Sequence, residues 1–499
     1  MSMCFQDLCD VKADFPWLTQ PLKGFCLDSR ELKQGQIFIA LNSFSQQEKI
    51  AIFAKSAIQK GALGIISESE IEGVNTLIIP HVRQQMGQWQ RQYLQHCLQV
   101  TAPKVIAVTG TNGKTTISRL VAELLMFTGR TVAVMGTAGH GILPHLEPST
   151  HTTVDALQLQ QRLMQFKQQG ADYVSLEASS HGLDQGRLVG TDIEIAIYSN
   201  LSHDHLDYHR TFEDYAKAKA KLFSFSTLKV AVINIDDDYA SVMQTAVKNN
   251  TAQPQLITYS RENSQADVYV RNIVYSLDGV TFDLHSPQGV MAISSPLLGQ
   301  FNIDNLLASL ATIHALGINL RHIVDQLPQL VGAPGRMQVM HDQHRVFIID
   351  YAHTPDALEQ ALSSVRKHVE GKLWVVFGCG GDRDRTKRPM MTNIALVQAD
   401  VVVLTADNPR TENLQQIFND MTTGIDFSTY HAYQIDHRRD AIAYVTQQAQ
   451  AGDVVVIAGK GHENYQDIDG VKHFFDDMVE LKNALIDSSS LSKTYLPLR

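Results

Sequence analysis

Cysteine is scarce in this chain of 499 residues: there are five, Cys4, Cys9, Cys26, Cys97 and Cys379, with no CxxC pair. An odd, sparse set excludes a disulfide framework and points to a reducing compartment. Glycine and proline, at 31 and 15 residues, are too few for a collagen-like or low-complexity chain. No apolar run approaches the ~18 residues that cross a bilayer. The first fifteen residues carry acids where a secretory signal has a basic region, so none is expected. Basic charge is in deficit. The 42 Lys and Arg against 52 Asp and Glu leave a net charge of −10, which argues against a general nucleic-acid binder. An anionic substrate therefore needs a focused pocket of Arg, Lys or backbone N–H groups. The expectation is a cytoplasmic protein with no membrane insertion.

What is present suffices for several cores: 44% of residues are hydrophobic and only 19% charged. At ~150 residues per domain the length suggests about three domains. Strand-like runs at Ile37–Leu41, Leu63–Ser67 and Thr76–Pro80, with a helical pattern over Ile50–Lys60 and a polar helix around Gln84–Gln99, predict a small α/β domain over residues 1–100. Thr101-Ala102-Pro103 breaks the pattern. A second series follows: Val105–Val108, a glycine-rich turn, a helix over Thr115–Phe127, then Val132–Met135, Tyr173–Leu176, Ile193–Tyr198 and Val230–Ile235. Such alternation predicts a mostly parallel sheet covered on both faces. Val268–Ser276, Val280–His285 and Val290–Ile293 are spaced closely around an Asp278-Gly279 turn, as in an antiparallel edge. Gly332–Gly335 reads as a linker closing the central domain, 101–334. Val346–Ile349, Leu373–Phe377, Val401–Leu404 and Val454–Ile457 then form a third α/β series, 335–499.

Three motif groups carry chemistry. After Val105–Val108 comes Thr109-Gly110-Thr111-Asn112-Gly113-Lys114-Thr115-Thr116, then a helix. Converging N–H groups, unobstructed backbone and a lysine at a helix N-terminus suit phosphate, with Lys114 against β/γ-phosphate charge and Thr115 toward Mg²⁺. The Gx₄GK[ST] spacing is not met, because its first position falls on Val108; the competing reading is an ordinary βα turn. Second, Glu177-Ala178-Ser179-Ser180-His181 and the run Ser202-His203-Asp204-His205-Leu206-Asp207-Tyr208-His209 follow two strands of the same sheet, where ligands gather. A carboxylate and an imidazole there suit a divalent cation beside a triphosphate. For His203 and His209 a helix-start hydrogen bond is the competing reading. Third, Asp350-Tyr351-Ala352-His353, GCGGDRD (378–384), DNPR (407–410) and GKGHE (459–463) end four successive strands of the third series.

Together with EASSHGLDQGR, NLSHDHLDYH, YAKAK, FNIDN, GRM and DYAHTPDAL, these motifs resemble the Mur ligases, the ATP-dependent amide-forming enzymes of peptidoglycan precursor synthesis. The set is most similar to the branch that adds meso-diaminopimelate to UDP-N-acetylmuramoyl-L-alanyl-D-glutamate through an acyl phosphate. The resemblance runs from about Asp28 to Glu463. It implies an N-terminal UDP-binding domain, a central P-loop-type ATPase domain and a C-terminal Rossmann-like domain, in a monomer using ATP and Mg²⁺. By resemblance, Gly110, Thr111, Asn112, Gly113, Lys114, Thr115, Thr116, Asn302, Asn305, Arg336, Asp350 and His353 hold ATP. Lys114, Glu177, His205 and Lys219 are catalytic, and Thr115, Glu177, His205 and Lys219 as its carbamate form the metal site. Ser29, Thr152, Thr153, Ser179, Gln185 and Arg187 contact the UDP-muramoyl dipeptide. Arg383, Asp407, Asn408, Arg410, Gly459 and Glu463 receive diaminopimelate. Two departures stand out: Gln47-Glu48-Lys49 replaces an Asp-Gly-His or Asp-Gly-Arg element, and His151 replaces an Asn before the Thr-Thr pair. A folylpoly-γ-glutamate synthetase, which has no use for residues 1–100, and a nucleotide-dependent switch that does not ligate are the alternatives.

Overall fold

A computed structural model describes residues 3–41, 49–149, 151–202, 204–486 and 495–498. Gln47 and Glu48 of the first departure, and His203, lie outside the described residues. The chain forms two compact units, residues 1–259 with 311–316, and 260–310 with 317–499.

In the first unit the N-terminal sheet is parallel, in the order Phe25–Cys26, Ile37–Ala40, Gly64–Ser67, Leu77–Ile78. Alternate side chains of its strands face opposite ways. Ile37 and Ile39 pack with Trp89 of the helix Met86–Leu98, and Phe38 and Ala40 with Ala54 and Ala57 of the helix Ile50–Gln59.

The central sheet runs Gly139–Ile142, Val132–Gly136, Tyr173–Glu177, Lys104–Thr109, Ile193–Tyr198, Val230–Asn234, Gln255–Ser260; every neighbour pair is parallel except the first. Its strands read as nearly unbroken apolar runs because helices cover both faces. The helix Lys114–Met126 buries Ile117, Leu120, Val121 and Leu124, one face at 3.6-residue spacing. Register places Val108 opposite Glu177 and Thr109 opposite Tyr198. The glycine loop, the Glu177 turn and the Ser199–Asn200 turn therefore leave the sheet side by side.

The second unit holds the expected antiparallel strands, Val268–Ser276, Gly279–Ser286 and Gly289–Ser295, the helix Gln300–Ala315 up to residue 310 and a six-stranded sheet. Its order is Gln338–Asp342, Arg345–Asp350, Val454–Ala458, Leu373–Phe377, Val401–Leu404, Ala432–Gln434, parallel beyond the first pair. Val454 and Val456 join a core with Leu358, Leu362, Met391 and Phe418, while Val455 and Ile457 face Ile442, Val445 and Leu481. That alternation is the mark of a doubly wound sheet. The Gly332–Gly335 stretch is packed, not free: a β-carbon on Gly335, whose φ is +64°, would stand 2.1 Å from the backbone nitrogen of His462.

Candidate active site

The first unit gathers one group of candidate residues around the glycine loop. The Lys114 ammonium donates to the carbonyls of Gly110 (2.9 Å) and Thr111 (2.7 Å). Lys219 reaches the same Gly110 carbonyl at 2.7 Å from 109 positions away, and its Nζ lies 4.4 Å from the centre of the Tyr215 ring. Lys219 is 1% exposed. Burial, reinforced by the Lys114 charge, holds its ammonium well below the usual lysine range. The loop is braced from the neighbouring strand: Thr111 N–H donates to Asn200 O, Asn112 N–H to Asn200 Oδ1, and Ser202 N–H to Thr111 Oγ1. Thr115 and Thr116 are buried in the first helical turn. Gly113, at φ +86°, turns the chain into that helix.

Glu177 is buried, with Oε1 accepting from Thr137 N–H at 2.8 Å and Oε2 from Thr137 Oγ1 at 3.2 Å. Thr137 Oγ1 is 3.0 Å from Thr152 Oγ1. Thr153 Oγ1 donates to Glu177 O and accepts from Ser179 N–H. Ser179 Oγ caps the helix Ser180–Asp184. Arg187 donates to Thr153 O at 2.6 Å and forks onto Gln185 Oε1. Glu177, Thr152, Thr153, Ser179, Gln185 and Arg187 thus form one connected network. Ser29 stands apart, buried in a cavity of about 960 Å³ bounded also by Phe25, Arg30, Asp155 and Gln158. His151 is exposed; its N–H donates to Ser149 Oγ.

His205 sits in left-handed backbone, φ +54°, its ring 4.8 Å from that of His181 and 6.1 Å from that of Tyr215. His209 does not start a helix, contrary to the competing sequence reading. It ends the short helix Leu206–His209, and its buried ring packs against His181, Tyr208 and Tyr215. His181, Tyr215 and Asn200 were given no role from the sequence, although all three sit inside its motifs, EASSHGLDQGR, YAKAK and NLSHDHLDYH.

The second unit gathers another group at the strand ends of its six-stranded sheet. Asp350 is opposite Ala458 in register. Its carboxylate accepts from Met337 and Ala352 N–H, both at 2.8 Å; burial pushes its pKa up, against the pull of Arg336. Arg336 lies over the Tyr351 ring at 4.6 Å, and His353 Nδ1 is 2.8 Å from Tyr351 O. Asn302 and Asn305 are buried on the helix Gln300–Ala315 and joined by a 3.0 Å hydrogen bond.

Asp407, Asn408, Gly459 and Glu463 come together. Asn408 Nδ2 donates to Glu463 Oε2 at 2.9 Å. The fully buried Lys460 donates to Asn408 Oδ1 and Glu463 Oε2 and stands 3.9 Å from Asp407 Oδ1. Burial raises the Asp407 pKa, opposed by Arg438 and Lys460. Arg410, at φ +52°, donates through Nη1 to Gly381 O at 2.7 Å. Glu412 is not its partner: that carboxylate grips the buried Arg388, which also holds Asp420. Arg383 is exposed. Sequence reasoning passed over Arg388, Arg438 and Lys460, since nothing local marks a basic residue as buried.

A glycine loop with a lysine at the ends of a parallel sheet, in one chain with a doubly wound sheet whose strand ends present acids and guanidinium groups, defines a multidomain α/β protein of the nucleotide-phosphate-binding class. The Mur ligase middle domain matches residues 108–313, and the Mur ligase glutamate ligase domain matches residues 335–461. The chain belongs to the Mur ligase family of ATP-dependent amide ligases. It is 41% identical over 474 residues to the UDP-N-acetylmuramoyl-L-alanyl-D-glutamate–2,6-diaminopimelate ligase of Ectopseudomonas mendocina, covering 93% of this chain and 95% of that one. The ligase of the same name from Pseudomonas aeruginosa is 40% identical over 471 residues, with the same coverage. A solved structure of a ligase of that name is 57% identical, with a TM-score of 0.79 over 97% of this chain and 99% of the other. Among the described residues, no helix is long and apolar enough to cross a membrane.

Proposed function

We propose that this chain joins the terminal carboxylate of UDP-N-acetylmuramoyl-L-alanyl-D-glutamate to an amine of meso-diaminopimelate, converting ATP to ADP and phosphate, as a cytoplasmic monomer. Residues 1–100 hold the uridine nucleotide, 101–334 ATP and 335–499 the amino acid. The observation that carries this reading is the set of amphoteric side chains at the strand ends of the six-stranded sheet, Asp407, Asn408, Arg410 and Glu463, in a chain 41% identical to a ligase of that name.

The chemistry follows from the carboxylate, whose own leaving group would be oxide. A carboxylate oxygen attacks the γ-phosphorus, the bond to ADP breaks, and an acyl phosphate forms. The neutral amine then attacks the acyl carbon, phosphate departs, and the nitrogen sheds a proton. Lys114 and the loop N–H groups offset the charge of the phosphates in transfer. The cavity at Ser29 is assigned to the uridine end. Asn302, Asn305, Arg336, Asp350 and His353 are assigned to ATP; Thr152, Thr153, Ser179, Gln185 and Arg187 to the dipeptide; Arg383 and Gly459 join the amino-acid site.

Thr115, Glu177 and His205 offer one hydroxyl, one buried carboxylate and one imidazole. That sparse set fits Mg²⁺ held largely by phosphate oxygens, which is how this ion is usually bound, and does not fit an all-protein cage. When bound, Mg²⁺ supplies further charge neutralisation at the phosphates. Lys219 as an ammonium would repel it. Burial and the Lys114 charge favour the neutral amine of Lys219, the form that adds to carbon dioxide: an N–C bond forms, a proton leaves, and the side chain becomes an anionic carbamate. Lys219→Ala is expected to lose activity and regain part of it with a small added carboxylic acid. Full activity without the additive would rule the carbamate out.

Phosphate release with and without diaminopimelate tests the whole reading. Release that requires both the nucleotide dipeptide and diaminopimelate is expected. Release indifferent to the amine would favour a nucleotide-dependent switch, and use of folate and glutamate a folylpoly-γ-glutamate synthetase.

A further inference from the structure

Two buried polar atoms of opposite charge flank Gly459. Neither Asp407 Oδ1 nor Arg438 Nη1 has a hydrogen-bond partner among the described residues. A β-carbon on Gly459 would stand 3.1 Å from Asp407 Oδ2 and 3.9 Å from Arg438 Nη1. The other edge of Arg438 is taken. Its Nε and Nη2 each donate to Asp477 at 2.7 Å, and Nη2 also to Ala458 O at 2.9 Å. Both side chains of this pair are 0% exposed. A buried ion pair is weak grounds for stability, because desolvation offsets much of the attraction. A role beyond packing accounts better for a guanidinium fixed on one edge and open on the other.

We infer that Arg438, clamped by Asp477, is a positioning residue whose fixed charge beside Gly459 readies Asp407 for an ammonium group of the incoming amino acid, without touching that substrate. The inference rests on the amino-acid site proposed above. The groups facing Asp407 come from five directions: Arg438 and Asp477 from the helices Arg438–Gln448 and Asp477–Ile486, Lys460 and Glu463 from the turn after Val454–Ala458, Cys379 from the turn after Leu373–Phe377, and Tyr351 from the turn after Arg345–Asp350. The last two are neutral; burial pushes the Cys379 thiol up to about 12. Lys460 spends its hydrogen bonds on Asn408 and Glu463. Arg438, ahead of Lys460, offsets the desolvation of Asp407.

The test is steady-state ligation by the full chain, with KM for diaminopimelate, ATP and the nucleotide dipeptide measured across pH, and folding checked by thermal melting. The Arg438→Gln/Asp477→Asn double variant removes both charges together, so neither member of that pair is left as a lone buried charge. Loss of a nearby opposite charge raises a carboxyl pKa. The double variant is expected to shift the acidic limb of kcat/KM for diaminopimelate upward by about one pH unit, raising that KM at neutral pH and leaving the other two unchanged. Arg438→Lys should return the limb toward its wild-type position. Asp477→Asn alone, which leaves the guanidinium charge unopposed, should move it downward, and this variant carries the test if the double variant does not fold. A wild-type limb in the folded double variant, an upward or absent shift in Asp477→Asn, or an equal rise in all three KM values would overturn the inference. A wild-type enzyme that does not ligate diaminopimelate would overturn the substrate assignment instead.

Discussion

At the scale of single residues, Lys114 and Arg410 carry the sharpest consequences. The Lys114 ammonium is held by two loop carbonyls, Gly110 and Thr111, which fixes it over the loop where phosphate charge would develop. Lys114→Ala is expected to keep the fold and lose ligation, because one such donor or charge is worth about 10²–10³-fold in turnover. Near wild-type turnover by a folded variant would remove Lys114 from the mechanism. The Arg410 guanidinium donates to one backbone carbonyl, Gly381 O, and Glu412 is engaged by Arg388. A guanidinium so placed can grip the distal carboxylate of diaminopimelate and repel the bare ammonium of lysine. Arg410→Ala should raise KM for diaminopimelate about 30-fold, the loss of a charged hydrogen-bonded pair, without creating a lysine ligase. Wild-type enzyme that uses L-lysine as well as diaminopimelate would contradict this account.

At the scale of elements, the helix Met86–Leu98 is fastened to the turn before Thr191 by a contact that only glycine allows. A β-carbon on Gly87 would lie 2.0 Å from Val189 O, and one on Gly190 2.6 Å from Gln88 N. Arg91 closes the same contact, donating to Gly190 O and pairing through both terminal nitrogens with Asp192. Gly87→Ala meets backbone, which cannot rotate away as a side chain would. It should lower stability by about 1–3 kcal/mol, the usual cost of overpacking, read as a lower midpoint of denaturant unfolding. An unchanged midpoint would mean that the helix shifts freely on the turn. A smaller effect is expected at the helix Leu414–Thr422, where the Asn413 side chain accepts from Gln415 and Gln416 N–H. Removing that cap in Asn413→Ala should cost about 1 kcal/mol.

At the scale of the molecule, acid tolerance follows from opposing carboxylates. Hydrogen bonding to Arg385, ahead of its bond to Arg388, depresses the Asp420 pKa from 3.8 to about 2, and hydrogen bonding to Arg388 lowers that of Glu412. A depressed carboxyl stabilises the fold at pH above its unfolded value, and that contribution is lost as pH falls through the folded one. For Asp420 the window is from pH 3.8 down to about 2. Asp350 and Asp407 work the other way, since burial raises them and protonation relieves their desolvation. The melting temperature should therefore drop as pH falls below about 4. The drop should be shallower in Asp420→Asn. An equally steep drop in that variant would assign acid lability to other groups.

The parallel strands were legible because burial on both faces demands unbroken apolar runs such as Val454–Ala458, and the glycine loop because phosphate chemistry demands its residues in sequence. Three other strands were not. Gly139–Ile142 holds two glycines, Gln255–Ser260 begins with two exposed residues, and Gln338–Asp342 is half-exposed, so none carries the periodicity of a buried strand. Motifs marked which turns are candidates for chemistry, since each is continuous in the chain. Tertiary structure alone decided which polar groups are buried and what they meet. Lys219 finds Gly110 across 109 residues, and Arg438 finds Asp477 across 39. The charge state of such groups is set by desolvation and by neighbours brought from afar, and neither is a property of local sequence.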